Sequence, residues 1–165
     1  MKLVTVIAVV LAAGCAKKDG AAGGGACKPL SVTVDGTALA AMPHGLAKAN
    51  NRSGDVSFEV TMLSHDKATC EQLLDKAGRQ IPDGELSVRG FAGGAGMTGK
   101  GVGIDAHTQM GGAVSLVGDK PTAVGDRVKV CADSISFKPI AGAYKDKQVV
   151  IDGLFEGTYC GEMAW

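Results

Sequence analysis

From about residue 27 onward, apolar and polar residues alternate along much of the chain. Leu30, Val32 and Val34 alternate with Ser31, Thr33 and Asp35, and Asp35-Gly36 then turns the chain. Val56, Phe58, Val60 and Met62 alternate with Ser57, Glu59 and Thr61, which predicts a strand with one buried face. Leu86 and Val88 mark another strand after the turn signal Pro82-Asp83-Gly84, with further strands around 102–108 and 113–117. Gly118-Asp119-Lys120-Pro121 turns again. In 127–132 Val128 and Val130 point inward. The phase then slips by one before Ile135 and Phe137, as a bulge near Asp133-Ser134 would cause. A last strand over 148–159 places Val149, Ile151, Phe155 and Tyr159 on one side.

Two stretches break the alternation. The segment 42–52 lacks it and reads as a short helix or a loop ended by Asn50-Asn51. In the second, Thr69 with Gln72 fits a capping box, and Cys70, Leu73, Leu74 and Ala77 recur at helical spacing, with Gly78 as a natural stop. The 25 glycines and few aromatic residues suit a turn-rich β protein rather than a helical bundle. The expected fold is mainly β: a β-sandwich or barrel-like antiparallel domain over residues 27–165, with one short helix.

The N-terminus follows a different pattern. After Lys2, residues 3–13 form an apolar run that ends in Leu11-Ala12-Ala13-Gly14-Cys15. A positive start, a short apolar stretch and small residues before a cut describe a secretory signal peptide. The run is far shorter than the roughly 20 apolar residues a spanning helix needs. With cysteine after the small residues, it resembles the lipobox of bacterial lipoproteins. That resemblance implies a signal peptide over 1–14, cleavage before Cys15, and acylation of Cys15 with three chains, palmitate among them, that hold the protein to a membrane. Ala16, rather than Asp, leans toward the outer membrane. Residues 15–26 then form the lipidated cysteine and a Gly-rich tether, spanning roughly 18–20 Å r.m.s. as a flexible chain.

Export changes the meaning of the cysteines. With Cys15 acylated, Cys27, Cys70, Cys131 and Cys160 remain, an even number that argues for two disulfides. Three pairings are possible. Cys131 and Cys160 share the polar sides of their strands, which favours Cys131–Cys160 with Cys27–Cys70, although a simple hairpin register sets Cys131 nearer residue 155. There is no C-x-x-C spacing to suggest a redox pair or a zinc knuckle.

Loss of Lys2 with the signal peptide leaves 16 Lys and Arg against 17 Asp and Glu, with no basic stripe, which argues against nucleic acid as a partner. Gly94 to Gly99 spells G-x-G-x-x-G, but Lys100-Gly101-Val102-Gly103 is a poor helix start. The run therefore reads as a glycine-rich hairpin loop and not a dinucleotide site. Ser64-His65-Asp66-Lys67 contains S-x-x-K without its K-T-G and S-D-N partners and reads as a polar approach to the helix. Asp105 and Asp126 are not placed at a working distance by anything in the sequence. The expectation is a lipid-anchored envelope protein with a non-catalytic β-domain for binding or structural support, without cofactor, its partners being the membrane and an envelope protein. The alternatives are a periplasmic copper protein using His44, His107, Met42 and Met110, with Met97 as a further thioether, and a small envelope hydrolase.

Overall fold

The structure, a computed structural model, describes residues 27–75, 85–91, 94–100 and 113–164. They form nine strands and one helix: β1 (Ser31–Val34), β2 (Thr37–Ala38), β3 (His44–Arg52), β4 (Asp55–Leu63), α1 (Cys70–Leu74), β5 (Glu85–Phe91), β6 (Gly94–Lys100), β7 (Ala113–Leu116), β8 (Arg127–Phe137) and β9 (Val149–Ala164). All nine strands belong to one sheet, curled into an open half-barrel. The expected mainly β fold with one short helix is what the chain adopts. The signal peptide and tether, the turn at Pro82-Asp83-Gly84, the strand around 102–108, and Ala77 with Gly78 lie outside the described residues.

β9 is the trunk of the sheet. Along one edge it pairs antiparallel with β8, from Phe137↔Val149 to Arg127↔Thr158. Along the other it pairs first with β1, from Val34↔Val149 to Ser31↔Asp152, and then with β3, from Leu46↔Thr158 to Asn51↔Ala164. The β3–β9 ladder is parallel, a departure from the all-antiparallel expectation. The order continues from β3 through β4 and β5 to β6, while β7 flanks β8.

The handover from β1 to β3 brings backbones unusually close, and glycines make it possible. A Cβ on Gly45 would sit 1.9 Å from the Glu156 carbonyl oxygen, and one on Gly157 would sit 2.9 Å from the Leu46 carbonyl carbon. Gly153 has φ +105°, and a Cβ there would meet the Pro29 carbonyl oxygen at 2.3 Å. A side chain at Gly45 or Gly157 would push two backbones apart, and no rotamer change would relieve it.

Two bulges adjust which face each strand buries. Between Ala132 and Ile135, β8 advances three residues while β9 retreats two, and Ser134 takes φ 45°. This is the slip expected near Asp133-Ser134, and it keeps Val128, Val130, Ile135 and Phe137 all buried. Between Tyr159 and Glu162, β9 carries one residue more than β3, and Gly161 takes φ 125°. Within it Cys160 is buried and bonded to Cys70 of α1, while Tyr159 packs against the core.

The core fills the concave side: Val60, Val88, Val128, Ile135, Val149, Ile151 and Phe155 are each fully buried. Gly90 on β5 lets that strand lie against β8 and β9, since a Cβ there would touch Val130 at 3.0 Å and Phe155 at 3.4 Å.

Two expectations of local structure are corrected. Residues 44–52 are strand and neither helix nor loop, because β4 and β9 flank them on both edges and bury Ala47, Lys48 and Ala49. The chain turns only afterwards, at Ser53-Gly54, where both residues have positive φ. The glycine-rich run 94–100 is also strand, paired residue for residue with β5 from Gly94↔Phe91 to Lys100↔Glu85. A helix N-terminus for a pyrophosphate therefore does not form there.

The disulfides are Cys27–Cys131 and Cys70–Cys160, with Cα separations of 6.0 and 5.1 Å. This overturns the favoured Cys131–Cys160 pairing: Cys131 sits opposite Leu154, and the β9 bulge turns Cys160 toward the helix. The first bond fastens the start of the domain to β8. The second fastens α1 to β9, and the capping box at Thr69, whose Oγ1 accepts from the Gln72 N–H at 3.3 Å, starts the helix there.

Gly45→Ala is expected to cost about 2–3 kcal/mol of stability in urea unfolding. Gly36→Ala, in an open turn with nothing within 4 Å, should lose about 1 kcal/mol. Equal losses would refute the close approach at Gly45. Digestion without reduction should yield the linked peptides Cys27–Cys131 and Cys70–Cys160. Reduction should lower the melting temperature, because each bond closes about 100 residues, for which chain entropy alone contributes about 4–5 kcal/mol.

Candidate functional site

The curl brings together strands that are not neighbours in the sheet. In the order β7-β8-β9-β3-β4, three strands separate β4 from β7. Both strands nevertheless line one cleft on the concave side. Val56 and Phe58 of β4 face Val114 and Leu116 of β7 across Val130 of β8, enclosing an open cavity of about 190 Å³ with Ser57 and Lys120 at its rim. Phe58, Val114 and Leu116 are only partly buried and pack on the core. The cleft is therefore an extension of the core that reaches solvent. Val56 is 40 % exposed and Val117 38 %, although the pattern along β4 predicts burial for Val56.

Tyr159 packs on the core beside the cleft residue Phe58. Its ring meets Phe58 edge-on, with centroids 6.4 Å apart. Burial, and then the nearby Glu162 carboxylate, push the Tyr159 hydroxyl pKa up, so it stays protonated and neutral. Glu162 in turn accepts from Asn51 Nδ2 at 2.7 Å.

The segment from Val117 to Asp126, which carries Lys120, is tied down at both ends. The Val117 N–H donates to the Lys129 carbonyl at 2.9 Å. Gly125 N–H donates to the Tyr159 carbonyl, and Tyr159 N–H to the Asp126 carbonyl. Asp126 Oδ2 accepts from the N–H groups of Thr122 (2.8 Å) and Ala123 (2.9 Å) and from the Thr122 hydroxyl (3.2 Å). Those backbone donors hold the Asp126 carboxyl below the usual carboxylate range. Lys120 itself is exposed and makes no ion pair among the described residues.

On the convex face of β3, β4 and β5, Glu59 lies between two cations. Lys48 Nζ stands 3.6 Å and Arg89 Nε 3.5 Å from its carboxylate, and Asn50 Nδ2 donates to it at 3.5 Å. Lys48 is 7 % exposed, so this assembly is a cross-strand brace with little access to solvent.

The residues singled out in the sequence do not converge. Met42 is buried in the core, whereas His44 is exposed at the start of β3, which separates the two described members of the copper set. His107, Met110 and Asp105, and the side chain of Met97, lie outside the described residues, as does Cys15. Among the described residues no three His, Cys, Asp or Glu side chains gather as metal ligands. His65 Nδ1 accepts from the Lys67 N–H at 3.1 Å, shaping the bend before α1. The cleft was not visible in the sequence, where its walls are ordinary strand valines and leucines. Comparison with protein-family models, with curated proteins and with solved structures finds no match to this chain.

Asp126 gives the rim a pH dependence. Its pKa is depressed by folding, so its contribution is fully present above the ordinary carboxylate range and is lost as pH falls through the folded value. Asp126→Asn should lower the urea midpoint at pH 7 and flatten its fall between pH 5 and pH 2. An unchanged acid limb in the variant would refute the assignment.

Proposed function

We propose that this chain is a lipid-anchored cell-envelope lipoprotein of the outer membrane that presents a non-catalytic β-domain for binding. The supporting observation joins the two ends of the argument. The lipobox-like Leu11-Ala12-Ala13-Gly14-Cys15 supplies an anchor, and twelve residues later Cys27 is cross-linked to Cys131 in β8. A chain pulled through its N-terminus would otherwise peel β1, held by only four register pairs, away from β9. The Cys27–Cys131 bond passes that load directly to β8. Disulfides closing long loops also belong to an oxidising compartment, as an exported domain requires.

The binding role draws on the cleft between β4 and β7, which is apolar, open to solvent and set in a rigid frame. Loops and lips on a rigid scaffold are the usual place for recognition.

Cys15→Ser is expected to move the protein from the membrane pellet to the soluble fraction, or to stall it as an uncleaved precursor. Both are read by fractionation and intact mass. A variant that is still cut and still sediments with membranes would refute anchoring through Cys15.

A further inference from the structure

The cleft points to a definite class of ligand. Its walls are aliphatic apart from the Phe58 ring, and the cation at its rim, Lys120, has no partner among the described residues. A cavity of about 190 Å³ exceeds the roughly 150 Å³ that accommodates benzene. It falls short of the roughly 300 Å³ at which pockets begin to enclose drug-sized ligands. Such a space takes the end of a chain rather than a whole molecule. The rest of that chain would lie over the exposed Val56 and Val117. We infer that the cleft formed by Val56, Phe58, Val114, Leu116 and Val130 binds an acyl chain whose anionic head is held by Lys120.

This rests on the anchored binding role proposed above. A domain held at a membrane by a tether of twelve residues meets acyl chains at high effective concentration, so weak affinity suffices. Each methylene buried contributes about 0.8 kcal/mol, so even a short inserted segment gives measurable binding. The charged partner sets orientation and adds less, because Lys120 is exposed and its attraction is screened. Free fatty acids and anionic phospholipids share this chemistry.

The test uses the full chain carrying Cys15→Ser, handled without detergent, with dodecanoate and dodecanol titrated below their aggregation limits. Dodecanoate should bind more tightly than dodecanol. Lys120→Gln should weaken dodecanoate by about fivefold and leave dodecanol unchanged. Val56→Asp, at an already exposed position, should weaken both by about tenfold by setting a charge against the chain. Monomeric dihexanoyl-phosphatidylglycerol would compete if the site takes phospholipid and fail to compete if it takes free acid. Either result supports the acyl assignment. Binding unaffected by both substitutions, or no binding of either probe, would overturn it. Equal binding of acid and alcohol would overturn the part given to Lys120. None of these failures alters the membrane fractionation of the wild-type chain, so loss of this inference and loss of the anchoring proposal are separate results.

Discussion

A β-strand has two edges, and β9 serves three ladders with them. It does so by dividing one edge between β1 and β3, which approach from opposite chain directions. The division is possible only because Gly45, Gly153 and Gly157 leave room for backbone where side chains would stand. Every other feature follows from that crossing. It fixes β3 beside β9 and hence β4 and β5 beyond. It sets the curl that lays Gly90 on Phe155. It lets β4 and β7 line the same cleft.

The two disulfides and the Lys48–Glu59–Arg89 brace reinforce the same geometry from the convex side. The sheet is open, so its curvature lacks the closed hydrogen-bond circuit that stabilises a full barrel. Cross-links from Cys27 to β8 and from α1 to β9 substitute at the trunk, where most pairing converges. The charged brace links three successive strands on the β5 side, where neither disulfide reaches. Stiffness at the trunk and on that flank supports the cleft, where Val56 brings apolar surface to water.

The strands with one buried face were legible because alternation records a two-sided environment. β1, most of β4 and β8 with its slip before Ile135 could be read directly, and so could the capping box that starts α1. β3 could not, because Ala47, Lys48 and Ala49 are helix-formers held as a strand by neighbours on both edges. The run at Gly94–Lys100 lacks the side-chain pattern that marks a strand, and only its partner β5 reveals its register. The disulfide pairing depended on a bulge at Gly161 that no local pattern announces. The cleft was the least legible feature. Its walls come from β4, β7 and β8, each apolar for the ordinary reason that it faces a core. What distinguishes Val56 and Leu116 is the curl that leaves them lining an open cleft.

The position of β9 in chain order carries a consequence for biogenesis. The last 16-residue strand is the partner that β1, β3 and β8 all require. A chain emerging N-terminus first exposes those strands with β2, β4 and β7 to pair them but without the trunk that joins their ladders. Cys27, Cys70 and Cys131 also emerge before Cys160, so an oxidase acting early can join Cys27 to Cys70 and trap a non-native ring. Such a ring must be reopened by thiol–disulfide exchange before the trunk can dock. The order in which the cysteines are oxidised therefore bears on the yield of native protein.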